Sequence, residues 1–264
     1  MMSMPKRDHL IEHLKLVPAH RAIVRALEAK IYDGMEFARP VLDIGCGDGY
    51  FAQAALPVPL DAGIDPSPAA LAECSHLGIY RELKQAGGAE IPFPDASFAT
   101  VVSNCVLEHI PEIDKTLYEI QRVLKPGGTF VGTMVTDQLS PLLGIPRWLR
   151  SVGLDSAALA YTTWFNRKAV HHNMLSLDDW TKKLCDAGLT VTRSQFYMGP
   201  ETTRIFDFLH YYALPSLFVH KIFRRWLLWN DARNVALIAA LLRGVYNEPT
   251  PKNGACVFVT AVKK

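Results

Sequence analysis

The chain has 264 residues, 49% of them hydrophobic, and its 28 Lys and Arg nearly balance its 26 Asp and Glu, for a net charge of +2. That length supplies one large domain with a full core, and the balanced charge offers no field for nucleic acid. Five scattered cysteines (Cys46, Cys74, Cys105, Cys185, Cys256) form no C-x-x-C and no Cys/His cluster. This argues against zinc and a disulfide framework, and for a reduced, cytoplasmic setting.

The start, Met1 to His9, is basic but no apolar run follows, so no signal peptide is expected. No run approaches the roughly 20 apolar residues that span a bilayer. Residues 8–38 read as one or two helices broken at Pro18, with Ile11, Leu14, Val17 and then Ile23, Leu27, Ile31 at helical spacing.

Val41, Leu42 and Ile44 read as a short buried strand. Gly45-Cys46-Gly47-Asp48-Gly49 is a turn almost without side chains, and Tyr50 to Leu56 a helix. A second apolar strand ends at Asp65, twenty residues after Gly45, where an acid can hold both hydroxyls of a ribose. A dinucleotide turn is G-x-G-x-x-G; here the third glycine comes one place early, and Asp43 precedes the turn. An acidic rim repels phosphate, so this turn suits a cationic ligand with a ribose, such as S-adenosylmethionine (SAM).

Residues 39–67 closely resemble motifs I and II of the class I SAM-dependent methyltransferases, in their ubiquinone/menaquinone-type branch, whose pattern is V-L-D-[IVL]-G-C-G-x-G. Further along, Ser67 reads as an N-cap with Pro68 at the first helical position. The helix stops at Gly78, and a weak strand covers Arg81 to Ala86. Gly87 to Phe98 resembles the family's D-A-x-x-[LI]-P-F-x-D-x-S-F segment beside the adenine. Gly87 stands where the family has an acid, which leaves the backbone of Gly88 and Ala89 for that contact.

Phe98 to Ser103 reads as a fourth strand, delivering Asn104-Cys105-Val106-Leu107-Glu108-His109 at a carboxyl end, where open α/β sheets bind ligands. Cys105 reads as a buried small apolar residue; His109 as a general base or a residue beside the methionine half of SAM. Glu112 to Leu124 is an amphipathic helix, which the glycines of Arg122-Val123-Leu124-Lys125-Pro126-Gly127-Gly128 end before a strand at Thr129 to Val135. That stretch again resembles the family, so the resemblance covers residues 39–136.

Residues 137–173 fall where the family builds its substrate pocket, and carry Tyr161, His171 and His172. The histidine pair reads as a substrate contact or packing rather than a metal site, since no acid is near. A helix capped by Ser176 runs to Gly188, Leu189 to Phe196 is strand six, and Ala255 to Val262 the last, antiparallel strand. The fifty residues between them read as three helices, Thr202 to Leu214, Pro215 to Trp229 and Asp231 to Tyr246. In the middle one Phe218, Ile222, Trp226 and Trp229 oppose Lys221, Arg224 and Arg225, a basic amphipathic pattern that could touch a membrane surface.

The expected fold is α/β, Rossmann-like, with a seven-stranded, mostly parallel sheet and a helical insertion before the last strand. The expected units are capping helices over 1–38, a core over 39–199, a helical cap over 200–250 and a final strand over 251–264. The resemblance implies a methyltransferase with SAM held by Asp43, Gly45, Cys46, Gly47, Asp65, Pro66, Gly88, Ala89, Asn104, Cys105 and His109. His20, Arg21 and Tyr32 read as contacts to its carboxylate or as a packing helix's solvated face. His109, His171, His172 and Tyr161 are the candidate bases, with no metal, and the acceptor is a small, apolar or lipid-like molecule. A nicotinamide-dependent reductase and a non-catalytic binding module are the alternatives; oligomeric state is not legible.

Overall fold

The computed structural model of the chain describes residues 7–212 and 232–264. Its centre is a seven-stranded sheet in the order β3-β2-β1-β4-β5-β7-β6. The strands are β1 (Val41–Ile44), β2 (Leu60–Asp65), β3 (Tyr80–Gln85), β4 (Phe98–Asn104), β5 (Leu124–Val135), β6 (Leu189–Tyr197) and β7 (Cys256–Lys263). β7 runs antiparallel to both β5 and β6, while the other pairings are parallel.

The central strands β1, β4 and β7 and the second half of β5 are buried on both faces because their residues alternate between two cores, as the pleat requires. Leu42, Ile44, Val101, Phe130, Val257 and Val259 face one core with Leu117, Ile120 and Trp180. Val41, Val102, Val131, Cys256 and Phe258 face the other with Tyr32, Ala52 and Phe165. The helices on the first side are α5 (Ile113–Val123) and α9 (Leu177–Asp186). Trp180 is wholly buried, and its Nε1 donates to the Val135 carbonyl at 3.3 Å; deleting such a side chain costs about 3–5 kcal/mol.

The helix starts follow their capping residues. The Ser67 hydroxyl accepts from the Ala70 amide at 3.2 Å and opens α4 (Pro68–Ser75); Ser176 accepts from Asp179 at 3.1 Å and opens α9. At β5 the chain departs from the expected path. The glycines do not terminate α5. The chain passes straight into the strand at Leu124, which pairs with Phe98, and the register shifts before Thr129 meets Thr100. Lys125 to Gly128 is the bulged segment, with Gly127 in the left-handed region.

The N-terminal helices α1 (His9–Leu14) and α2 (Ala19–Tyr32) pack with α10 (Pro200–Tyr212) and α11 (Ala232–Tyr246), which lie between β6 and β7. Leu10, Leu14, Ile23 and Ala26 share a third core with Val235, Ala239, Leu242 and Tyr246. Arg243 binds Asp8 across that contact at 2.7 Å. Helices from the first and last fifths of the described chain therefore share one packed core. The expected helix over Pro215 to Trp229 lies outside the described residues. The segment 137–173 folds into three short helices: α6 (Leu139–Leu142), α7 (Gly144–Ser151) and α8 (Asp155–Ala169).

Candidate functional site

The turn after β1 is built by backbone geometry. Gly45, Gly47 and Gly49 all have positive φ, at 73°, 55° and 78°. A Cβ on Gly45 would lie 2.4 Å from Val106 Cγ2, so the loop after β4 fixes that position. At Gly47 the nearest atom to such a Cβ is a carbonyl oxygen 3.9 Å away, so the tip of the turn is open to a ligand. Asp65 ties the tip to β2: Oδ2 accepts from the Gly47 amide at 3.0 Å and Oδ1 from the Ser67 amide at 2.8 Å.

Above this turn lies a cavity of about 370 Å³, within the range of small-molecule sites. Asp43, Gly45, Cys46, Gly47 and Asn104 form its floor, and Arg21 and Arg25 reach it from α2. Arg21 pairs with Asp48 at 3.2 Å. Asp43 is buried and receives the Tyr80 hydroxyl at 2.5 Å. Burial pushes its carboxyl up to about 6, against the Tyr80 hydrogen bond, with the charge of Asp65 adding to the rise. Asp65, Pro66, Gly88 and Ala89 stand outside this lining. Gly88 is packed against α5, where a Cβ would meet Thr116 at 2.9 Å; at Gly87 it would meet nothing within 4 Å.

A second cavity, of about 230 Å³, opens on the other side of α2 and shares Arg21 and Arg25 with the first. Val24, Val135, Leu139, Phe165, Met198 and Phe206 make it apolar, and four histidines, His20, His109, His171 and His210, line it. His20 and His210 lie 4.4 Å apart between ring centroids, and His109 and His171 stack at 5.3 Å. Burial is the first cause of a lowered pKa at all four, to about 3 at His20 and about 4 at His171. They are neutral imidazoles at pH 7. The Nδ1 of His109 lies 3.2 Å from the Val170 carbonyl. A carbonyl can only accept, so this nitrogen carries the proton and Nε2 is left unprotonated.

Of the other sequence candidates, Cys105 lines this cavity. His172 is exposed and spends its amide on the Glu108 carbonyl. Tyr161 lines neither cavity: it donates to Asp207, receives the Tyr211 hydroxyl at 2.7 Å and packs beside Phe165. Tyr32 is buried among Phe37, Phe51 and Phe258 and does not reach the first cavity.

Sequence reasoning missed what lies between the cavities. Glu28 is wholly buried and accepts four hydrogen bonds. They come from Arg25 Nη1 and Asn104 Nδ2, both at 2.7 Å, from the Tyr197 hydroxyl at 2.8 Å, and from the Cys105 thiol at 2.9 Å. On the wheel of α2 Glu28 falls beside Arg21, Arg25 and Tyr32 and away from Ala22, Ala26 and Ala29, so helical spacing gave no signal of its burial. Glu108 was missed too; it is wholly buried in the lining of the second cavity. Backbone strain gathers here as well. Cys105, Val170 and Met198 have φ of 50°, 56° and 54°, and three of the four such non-glycine residues among those described border or adjoin this cavity. Each costs about 1–3 kcal/mol and persists only where the surroundings hold it.

Residues 42–132 match the family model described as "Methyltransferase domain". A probable S-adenosylmethionine-dependent methyltransferase of Mycolicibacterium smegmatis is 36% identical over 94 residues, which are 35% of this chain and 37% of that protein. A fatty-acid O-methyltransferase of the same species is 34% identical over 119 residues, 42% of this chain and 41% of that one. The chain thus spans less than half the length of these curated relatives. In structure, a SAM-dependent methyltransferase of Thermotoga maritima, a possible histamine N-methyltransferase, matches with a TM-score of 0.54 and 16% identity, over 97% of this chain and 99% of that one. This last likeness bears on the fold alone.

Proposed function

We propose, on the premise that residues 42–132 are a class I SAM-dependent methyltransferase domain, that the protein methylates a small apolar acceptor held in the second cavity. The observation that carries this is the pair of cavities on either side of α2, meeting at Arg21 and Arg25 where β1 and β4 end. The first cavity fits the cofactor's chemistry. An open glycine tip, an acid at Asp43, and the guanidinium groups of Arg21 and Arg25 match a ligand carrying an ammonium and a carboxylate.

When bound, SAM supplies a methyl group already activated by the sulfonium charge. Asp43, Gly45, Cys46, Gly47, Asn104 and Cys105 would hold its methionine half, with Asp65 and Pro66 at the ribose and Gly88 and Ala89 at the adenine. Holding the acceptor in line and excluding water is then the main task of the chain. Phe165, Phe206 and Val135 exclude water, and neutral His109 and His171 offer polar ring atoms to orient the acceptor. His172 and Tyr161 support its wall from behind: His172 fixes the Glu108 backbone, and Tyr161 packs on Phe165.

An apolar acceptor accords with the cavity lining. The exposed apolar side chains of Trp148, Leu154, Leu159 and Trp164 on and between α7 and α8 also favour access for a lipid-like molecule. No helix among the described residues is long and apolar enough to cross a membrane. The basic amphipathic pattern of residues 215–229 is the sequence feature that favours contact with a membrane surface. Calorimetry with SAM and with NADH separates a methyltransferase from a reductase. Methyl transfer to a panel of apolar and charged small molecules, with and without anionic vesicles, separates it from a non-catalytic module. Turnover confined to a charged acceptor such as an amino acid would overturn the apolar assignment.

A further inference from the structure

Among the described residues Glu108 is the one acid in the lining of the second cavity, and it is wholly buried. Its turn, Leu107–His109, cannot rotate away. The Glu108 carbonyl accepts from the His172 and Asn173 amides at 2.8 and 3.0 Å, and Asn173 Nδ2 donates to the Leu107 and Ile110 carbonyls at 3.1 and 2.6 Å. Yet neither carboxyl oxygen has a hydrogen-bond partner. The nearby Cys105 thiol donates to Glu28 instead, and His109 Nε2 stands 4.0 Å from Oε1. A buried carboxyl without a partner is costly and does nothing for the fold. His20 Nδ1 and His171 Nδ1 are likewise buried and unpartnered in the same cavity.

Three orphaned polar side chains in one apolar chamber describe the ligand that completes them. Its body is apolar and its head is polar and can donate a hydrogen. A carboxylate head would set its charge against Glu108, while the guanidinium groups of Arg21 and Arg25 in the same lining are already paired with Asp48 and Glu28. We infer that Glu108 receives the acceptor's hydroxyl hydrogen and takes its proton as the oxygen is methylated, so that the acceptor is a phenol or enol and the product its methyl ether. This rests on the methyltransferase reading above. The O–H bond breaks and its proton passes to the Glu108 carboxylate; the new O–CH₃ bond replaces the methyl bond to sulfur, whose positive charge is discharged. Burial, opposed by its own backbone amide, by Arg25 and by the nearby Cys105 thiol and joined by the charge of Glu28, pushes the Glu108 carboxyl up to about 8. Both its forms are therefore populated near neutral pH, as a group that takes and releases a proton requires.

The test uses 2-naphthol, naphthalene and 2-naphthoate as fluorescent probes, with and without SAM. The wild-type protein should bind 2-naphthol about tenfold more tightly than naphthalene, the value of one hydrogen bond to a carboxyl. Glu108→Leu should collapse that ratio and leave naphthalene binding intact. In Glu108→Gln, which keeps the shape, 2-naphthol should still bind but lose the rise in affinity that wild type shows between pH 6.5 and 8.5. The other groups facing Glu108 are His20, Arg21, Arg25 and Glu28 from α2, Cys105 and His109 from its own loop, His171, His210 of α10, and Cys256 of β7. The histidines are shifted below that window and Cys105 above it. No preference for 2-naphthol in wild type, a preference that survives Glu108→Leu, or tighter binding of 2-naphthoate would each overturn the proposal. Calorimetry with SAM is read separately: its failure would sink the methyltransferase reading, while the naphthol ratio still judges Glu108.

Discussion

Glu28→Gln is the sharpest probe of the site's foundation. The carboxylate meets four donors, two at each oxygen: Arg25 and Asn104 at Oε2, Cys105 and Tyr197 at Oε1. A glutamine keeps one oxygen and turns an NH₂ toward the other pair, so two donors lose their acceptor whichever way the amide faces. If the amide faces Arg25, a partly buried guanidinium also loses its counter-charge. Breaking a buried ion pair from one side costs about 3–5 kcal/mol. At about 2–4 °C per kcal/mol for chains of this size, the melting temperature should fall by roughly 6–20 °C. Urea unfolding followed by circular dichroism reads the loss as a shifted midpoint at unchanged slope. Arg25 and Asn104 also line the first cavity, so SAM affinity should fall with stability. A loss under about 1 kcal/mol would mean that water already reaches this network, and the reasoning from its burial would fail.

Other outcomes follow from the same geometry. Asp65→Ala should weaken SAM binding by about 1.5–3 kcal/mol, the value of hydrogen bonds to a charged group; unchanged affinity in calorimetry, with the fold intact, would refute its role. Gly45→Ala drives a methyl group into Val106 and strains a left-handed residue, so it should lower both stability and SAM affinity, and a melting curve like that of wild type would contradict the loop packing. Gly87→Asp has room for its side chain and restores an adenine acceptor, so isothermal titration should show tighter SAM binding. For pH, Glu108 has a folded pKa raised to about 8; the unfolded chain loses that proton earlier, so stability falls as pH rises towards 8, by at most about 1.4 kcal/mol per pH unit. The buried histidines, with lowered pKa values, push stability the other way over that range, so the change in midpoint from pH 6.5 to 8 should be more negative in wild type than in Glu108→Gln, and equal changes in the two proteins would exclude this origin.

The turn from Val41 to Gly49 and the acid at Asp65 were legible because each acts through its neighbours: positive φ values, a strand end, a fixed spacing. Leu42 and Ile44 against Val41 displayed the two-sided burial of a central strand in four letters. At Leu124 the sequence misled, because glycines after a helix have the same local pattern whether they end it or fill a bulge. Only the pairing of Leu124 with Phe98 decides between the two, and that is a long-range fact. His109 and His171 are 62 positions apart by number, so their stacking depends on how α8 lies across the sheet. Glu28 looked like one more surface acid in a charged helix. Its burial follows from Asn104, Cys105 and Tyr197 arriving from β4 and β6, which no spacing within α2 announces.

Because α2 is the common wall of both cavities, the two ligands share one mechanical element. Whatever position of Arg21 and Arg25 the first occupant prefers is the wall that the second one meets. Thermodynamic linkage makes that influence equal in both directions. Cofactor should change the acceptor's dissociation constant by the same factor as acceptor changes the cofactor's, and spent cofactor should hold or release the product through the same helix. Order of binding, and inhibition by product, would then be properties of fourteen residues near the start of the chain.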